Sequence, residues 1–227
     1  MTRLASCLPA AALLALASCS SQSTSIEGDD SSFFTSARLA IPASNEETAF
    51  EIDVSTASGG FEQELGPAED VQLDKVTFSG PGTVDVDFDL TRVTLVARRT
   101  FTEENGLGLA VFLGLGVTRL DAQASLLGAK DDVRDTGFGF QFGVEPFYRV
   151  TNDLKLYGEI ALTNGLATEY NKFDLTSIDL GLAYALGDSF EIAAGWRHWG
   201  YETEGVGNDS DLDLTLHGPH VSLRFTP

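Results

Sequence analysis

Two side chains near the end of the sequence have the spacing of a catalytic pair. His220 and Ser222 stand two positions apart in a segment of alternating polarity, and residues i and i+2 of a strand share a face. A histidine next to a serine hydroxyl can act as the base that activates this oxygen as a nucleophile. No carboxylate follows Ser222 to complete the set. We therefore predict a structural pair that faces the interior, and no catalytic residue.

A second cluster consists of three carboxylates on one face of a predicted strand, Asp85, Asp87 and Asp89. A calcium loop of the EF-hand type is excluded because Leu90 and Val96 occupy the positions of its turn glycine and its bidentate glutamate. The sequence favours an ion-pair role inside the fold or at its rim. His198 and His217 lack a partner at metal-ligand spacing, and no metal or cofactor is predicted.

The clearest structural element is the stretch from Gly106 to Leu120. Its odd positions carry large apolar residues, whereas its even positions are mostly small and include Gly108, Gly114 and Gly116. Each interior glycine would cost a helix about 1 kcal/mol, but a period of two is the pattern of a strand. Since about 9 to 11 residues of tilted strand cross a bilayer, this segment is long enough to span one.

Similar alternation elsewhere predicts an all-β fold. The predicted strands are residues 49–58, 83–97, 106–120, 136–149, 154–164, 173–186, 190–201 and 212–225. Residues 33–42 form either an additional strand or a segment packed under the others. The predicted number of strands is about eight, and ten are possible. Connections after the second, fourth and sixth strands are short and the others are mostly longer, which is typical of outer-membrane barrels. We predict a closed antiparallel up-and-down transmembrane β-barrel, because an even strand count lets such a sheet close and removes its edges.

The two faces of these strands differ in polarity. The face predicted to contact lipid contains Leu107, Leu109, Val111, Leu113, Leu115, Phe138, Phe140 and Phe142. The face predicted to line the lumen carries an ion-pair network of Glu51, Asp53, Glu145, Arg149, Lys155, Glu159, Asp179, Glu191, Arg197 and Arg224. Side chains nearly fill the lumen of an eight-stranded barrel, so no open pore is expected.

The N-terminus reads as an export signal. Residues 1–18 combine an early Arg3 with an apolar core. Leu16-Ala17-Ser18-Cys19 resembles a bacterial lipobox, which implies lipidation of Cys19, whereas ordinary cleavage after Ala17 is the alternative. Residues 19–48 are predicted to be a lipidated N-terminus with a polar linker, and residues 49–227 to be the barrel.

The overall charge narrows the range of partners. Asp and Glu outnumber Lys and Arg by 34 to 14, for a net charge of -20, which argues against nucleic-acid binding. Acid-rich segments fall in the loops predicted around residues 59–79, 121–135 and 202–211. Solvation explains such loops most simply, while divalent cations that bridge them to lipopolysaccharide are the alternative.

The last strand carries a resemblance to a known family. The segment from Gly218 to Phe225, with Val221 and Leu223 between them, is similar to the C-terminal assembly signal of small outer-membrane barrels of the OmpA, OmpX and OmpW kind, although Thr226 and Pro227 follow the phenylalanine. The resemblance implies a bacterial outer-membrane location and insertion by the barrel-assembly machinery. It does not imply a ligand.

Three functions compete. The leading prediction is a monomeric, non-enzymatic outer-membrane barrel with a structural or surface-interaction role, in contact with outer-membrane lipid and lipopolysaccharide. The alternative is a lipid-anchored soluble barrel of lipocalin type that binds a hydrophobic ligand. A lipid A-modifying enzyme would rest on His220 and Ser222 alone, since Leu223 replaces the asparagine of the deacylase family that they resemble. The orientation of Leu113 and Phe140, towards lipid or towards a cavity, separates the first two.

Overall fold

The computed structural model describes residues 26–43, 47–73, 76–103, 105–168, 172–204 and 211–227. The predicted signal peptide and Cys19 lie outside these residues. Within them the chain forms twelve strands and no helix. The strands are β1 (Ile26–Ser31), β2 (Phe33–Pro42), β3 (Thr48–Leu65), β4 (Asp70–Leu73), β5 (Val76–Ser79), β6 (Gly82–Thr102), β7 (Leu107–Leu126), β8 (Ala129–Arg149), β9 (Leu154–Ala167), β10 (Lys172–Leu186), β11 (Phe190–Glu204) and β12 (Leu212–Phe225).

Nine of these strands form a hydrogen-bonded ring. From β6 to β12 each strand pairs antiparallel with the next one in the chain, and β3 pairs antiparallel with β6. β2 closes the ring, since it pairs antiparallel with β3 and parallel with β12. β1 pairs parallel with the first half of β12. β4 and β5 form a separate hairpin. The all-β, mainly antiparallel prediction is confirmed.

The ring differs from the prediction in its ninth strand. Successive strands run in opposite directions, so an odd ring must contain one parallel pair, and here that pair is β2 and β12. Residues 26–31 and 33–42 are strands of the sheet, so the additional strand that was one of the two possibilities for residues 33–42 is confirmed, and these residues are not part of a polar linker. Their polar side chains are no obstacle because the backbone makes the pairing, and Phe34 anchors the segment, fully buried with its ring 5.1 Å from that of Trp199.

Several strands also extend beyond their predicted ends. Most of the acid-rich stretches predicted as loops at 59–79 and 121–135 are strand, and β7 and β8 are joined only by Leu127 and Gly128, both at positive φ. The reason is that alternation continues there with its polarity reversed. On β7 the outward residues up to Val117 are apolar and are followed by Arg119 and Asp121, while the inward residues change from glycine to the fully buried Leu120.

This reversal divides the ring into two ends. We call the end with the β7–β8 turn and the β4–β5 hairpin the head, and the end with the short connections 103–106, 150–153 and 187–189 the base. Apolar side chains fill the interior of the head, among them Leu90, Leu120, Trp199 and Tyr201. The β4–β5 hairpin contributes Val71 and Phe78 to this core. The head is thus built like a water-soluble β-domain, whereas the base has the opposite polarity.

Candidate functional site

The outer surface of the base is an apolar belt. Most of the side chains predicted to face lipid are exposed there, with Leu113 at 61% and Phe140 at 69%, and Val111 is partly exposed. Each of the nine ring strands contributes at least two exposed large apolar side chains to the outer surface. On β7 the belt runs from Leu107 to Val117. The exposed surface of the base is therefore continuous and apolar around the ring.

Aromatic residues mark the base rim of this belt. Exposed rings at or near this rim are those of Phe50, Phe101, Tyr148, Tyr184, Phe190 and Phe225. Phe190 and Phe225 lie against each other, with ring centroids 4.9 Å apart. Trp196 lies closer to the head, beside His217.

The interior of the base contains ionisable side chains of both signs. Among the described residues six are cationic, namely Arg38, Arg92, Arg98, Lys155, Arg197 and Arg224, and six are anionic, namely Glu51, Asp53, Glu145, Glu159, Asp179 and Glu191. Burying a charge is costly unless it is paired. Equal numbers of the two signs allow that pairing.

Arg98 is the centre of this network. Its guanidinium group donates to Glu51 at 2.8 Å, to Glu145 at 2.7 Å and to Glu159 at 2.9 Å. The group also lies 4.6 Å from the centroid of the Phe112 ring. One side chain on β6 therefore joins β3, β8 and β9 across the interior.

Further ion pairs extend from this centre. Arg38 lies 3.3 Å from Asp53 and 3.5 Å from Glu159. Arg224 donates to Glu51. Two more groups of pairs are formed by Lys155, which is 3.4 Å from both Glu145 and Glu191, and by Arg197, whose Nε donates to Asp179 at 2.7 Å.

Nine of the ten predicted network residues take part in this arrangement. Arg149 does not, because it is exposed at the base rim, where it lies 5.9 Å from the Phe147 ring. Sequence reasoning missed Arg38, Arg92 and Arg98. Arg92 and Arg98 lie on the inward face of β6, whereas Val93 and Leu95 lie on its outward face. The alternation would therefore have identified Arg98 if the predicted strand had extended beyond residue 97.

Little space is left between these side chains. Two cavities in the base interior have volumes of about 20 Å³ and 30 Å³, which is room for one or two water molecules each. On the head side the interior is filled by the apolar core. The described interior is thus packed with ion pairs in the base and with apolar groups in the head.

The remaining candidates for chemistry are the pair of His220 and Ser222 on β12 and the three carboxylates on β6. His220 is buried and its Nε2 is 2.8 Å from the Tyr157 hydroxyl, which makes Tyr157 its partner. Asp85, Asp87 and Asp89 face outwards on the head and not into the fold. No three metal-ligating side chains of the described residues lie close enough together to hold a metal ion.

The outer surface of the head carries its own charge cluster. Arg119 donates to Asp121 at 2.8 Å, and Arg134 also donates to Asp121. The hydrogen bond from Arg119 has the largest effect on the carboxylate of Asp121, and the one from Arg134 acts in the same direction. Together they hold the pKa of Asp121 below its usual range. Asp121 therefore stays ionised at neutral pH.

The predicted assembly signal lies on β12 at the closure of the ring. Val221, Leu223 and Phe225 are exposed on the belt, with Phe225 at the base rim. Gly218 lies opposite the junction of β1 and β2, where a Cβ atom would collide with the Ser32 carbonyl oxygen. Only glycine allows this close approach.

Comparisons with known proteins do not assign the chain to a family. No protein family model matches the chain, and neither a curated protein nor a solved structure matches it significantly. None of the described residues belongs to a helix that is long and apolar enough to cross a membrane. The features that bear on function are therefore the belt, the head and the charged interior.

Proposed function

We propose that this protein is a transmembrane β-barrel of the bacterial outer membrane, with the belt in the hydrocarbon layer and the head in water outside. Its role is structural or in surface interaction, without catalysis or an open pore. The observation that carries the proposal is the reversal of polarity along the strands. Apolar side chains face outwards in the base and inwards in the head, as expected if lipid surrounds one and water the other.

The continuity of the belt supports lipid as its solvent. Soluble monomers rarely expose a contiguous apolar patch larger than a few hundred Å², whereas here every ring strand contributes to the outer apolar surface. An aromatic rim at the base is the pattern found where a barrel meets the membrane interface. A belt closed around the ring fits a bilayer better than it fits a single protein partner.

The height of the belt also fits a bilayer. From Leu107 to Val117 the chain covers ten residue steps, or about 34 Å of strand. At a tilt of about 40° from the barrel axis this spans about 26 Å, close to the apolar band of about 25 Å in outer-membrane barrels.

The lengths of the connections orient the barrel. The strands end close to the belt at the base, where the connections 103–106, 150–153 and 187–189 are short. At the head, β7 and β8 continue past the belt to the turn at Leu127 and Gly128. Since the larger extramembrane parts of outer-membrane barrels lie outside and their short turns face the periplasm, the acid-rich head faces the exterior. Lipid and lipopolysaccharide would surround a monomer, and the barrel-assembly machinery would recognise β12. Lipidation of Cys19 is part of the proposal and lies outside the described residues.

The two other functions have less support. Leu113 and Phe140 point away from the interior, and the base interior consists of ion pairs, so a lipocalin-like cavity for a hydrophobic ligand is not favoured. A lipid A-modifying enzyme would need His220 to activate Ser222. The Nε2 atom of His220 is instead hydrogen-bonded to the Tyr157 hydroxyl.

Two substitutions on the same face of β7 test the membrane assignment. Leu113 lies in the belt and Gln123 on the head, and both side chains are on the outer face. In lipid, Leu113→Arg should lower the free energy of unfolding by about 2–4 kcal/mol, the cost of arginine near the bilayer midplane. Gln123→Arg should change it by less than about 0.5 kcal/mol, as ordinary surface substitutions do.

The measurement is equilibrium unfolding of both variants in phospholipid vesicles. If Leu113→Arg is as harmless as Gln123→Arg, the belt does not contact lipid. Extraction of the native protein from cell envelopes without detergent would contradict the proposal independently.

A further inference from the structure

The direction of β1 and β2 determines at which end of the ring the chain enters the fold. β1 is parallel to β12, with Ile26 paired with Leu212 and Ser31 with His217. β2 continues towards the base, with Phe34 paired with His220 and Leu39 with Phe225. The described chain therefore enters at the head and descends to the base.

The other terminus lies at the opposite end. Phe225 packs against Phe190, and the Thr226 N–H donates to the Ser189 carbonyl oxygen in a short base connection. A ring with an odd number of up-and-down strands necessarily has its two ends on opposite sides. The parallel closure by β2 thus separates the termini across the belt.

Several contacts hold the first strand in this direction. The Asp30 carboxylate accepts a hydrogen bond from the Gly60 N–H at 3.0 Å, and the Ser32 N–H donates to the His217 carbonyl oxygen at 2.9 Å. Arg38 joins the buried ion pairs of the base. A reversed segment would lose both the head contacts and the Arg38 pairs.

We infer that the chain enters the sheet from the head side, so that Ile26, the first described residue, lies on the cell-surface side of the membrane. The inference rests on the proposed function for the membrane and for its orientation. This arrangement differs from a ring with an even number of up-and-down strands, in which the first strand begins on the side where the last strand ends. It makes the start of β1, together with the acid-rich head, part of the surface that faces the outside.

The length of the chain limits any lipid anchor to the same side. Phe33 on β2 is the first belt residue of the described chain and follows Ile26 by seven positions. Ile26 therefore lies up to about 23 Å from the head edge of the belt. Cys19 is seven residues before Ile26 and reaches at most about 25 Å from it. An acyl group on Cys19 could enter the outer leaflet, but the periplasmic interface, where an anchor in the inner leaflet would attach, lies a further belt height of about 26 Å away.

Three epitope insertions in the full-length protein test this side assignment. One tag follows Thr24. A second, between Leu127 and Gly128, marks the head, and a third, between Gly187 and Asp188, marks the base. Exposed turns usually tolerate insertions. Antibody binding is measured on intact cells and again after the outer membrane is permeabilised.

We expect the Thr24 tag to be detected on intact cells together with the head tag, while the base tag is detected only after permeabilisation. A Thr24 tag that needs permeabilisation when the head tag does not would overturn this inference and leave the proposed function intact. If neither the head tag nor the Thr24 tag is accessible although the base tag is, the proposed orientation is wrong. If all three tags are released in a soluble fraction, the proposed membrane location fails.

Discussion

A single arginine shows how the polar interior of the base is held together. The Arg98 side chain is 3% exposed and donates to three carboxylates on three other strands. Each of these carboxylates is also buried. Removing the cation would leave several negative charges close together in a region with almost no water.

We therefore expect Arg98→Met to lower the free energy of unfolding by about 3–5 kcal/mol, the usual effect of breaking a buried pair from one side. The neighbouring Arg99 is the matched control, because its pair with Glu47 at 3.0 Å is more than half exposed on both sides. Arg99→Met should cost less than about 1 kcal/mol. Denaturant unfolding in detergent micelles measures both, and equal effects would show that the buried network does not stabilise the ring.

At the scale of the strand, glycine sets how closely neighbouring backbones approach. Gly195 on β11 pairs with Gly181 on β10. A Cβ atom at position 195 would collide with the Leu180 carbonyl oxygen and lie 2.6 Å from the Gly181 Cα atom. Gly200 on the same strand has no atom within 4 Å of such a position.

These two glycines should respond differently to alanine. Gly195→Ala must displace backbone and is expected to cost about 1–3 kcal/mol. Gly200→Ala should be neutral or stabilise the protein by up to about 1 kcal/mol, because it restricts only the unfolded chain. Thermal unfolding of both variants checks the order, and a destabilised Gly200→Ala with an unaffected Gly195→Ala would contradict the register of β10 and β11.

For the whole molecule, the distribution of charge matters more than its sum. The interior of the base holds six residues of each sign, which leaves eight cationic and 28 anionic residues for the rest of the chain. The net charge of -20 therefore arises outside the ion-pair network. An acidic head next to a base whose interior charges balance is consistent with the proposed arrangement, in which water surrounds the head.

The packing of the interior leads to a prediction about transport. The base cavities of about 20 Å³ and 30 Å³ are too small for a hydrated ion to pass, and the head core closes the other end. We expect the purified protein to produce no discrete conductance steps in planar lipid bilayers. Stable steps that scale with protein concentration would show that the interior opens in the membrane.

Local alternation was enough to predict eight of the nine ring strands, their two faces and the exposed apolar stripe from Leu107 to Leu115. These properties can be read from the sequence because a period of two needs only neighbouring residues. The same alternation identified most of the charged interior, since Glu145, Lys155 and Glu159 sit on the face opposite the apolar one. It misjudged the head because reversed polarity and acidic composition resemble a loop.

The closure of the ring, and the contacts inside it, follow from the tertiary structure alone. The pairing of Phe34 with His220 joins residues 186 positions apart, and no local pattern encodes such a register. The same closure adds Arg38 to the network and places Ile26 at the head, while Arg98 meets its three carboxylates only because four strands curve around one interior. Hydrogen bonds between distant strands fix these contacts, so they depend on the complete ring and not on any single segment.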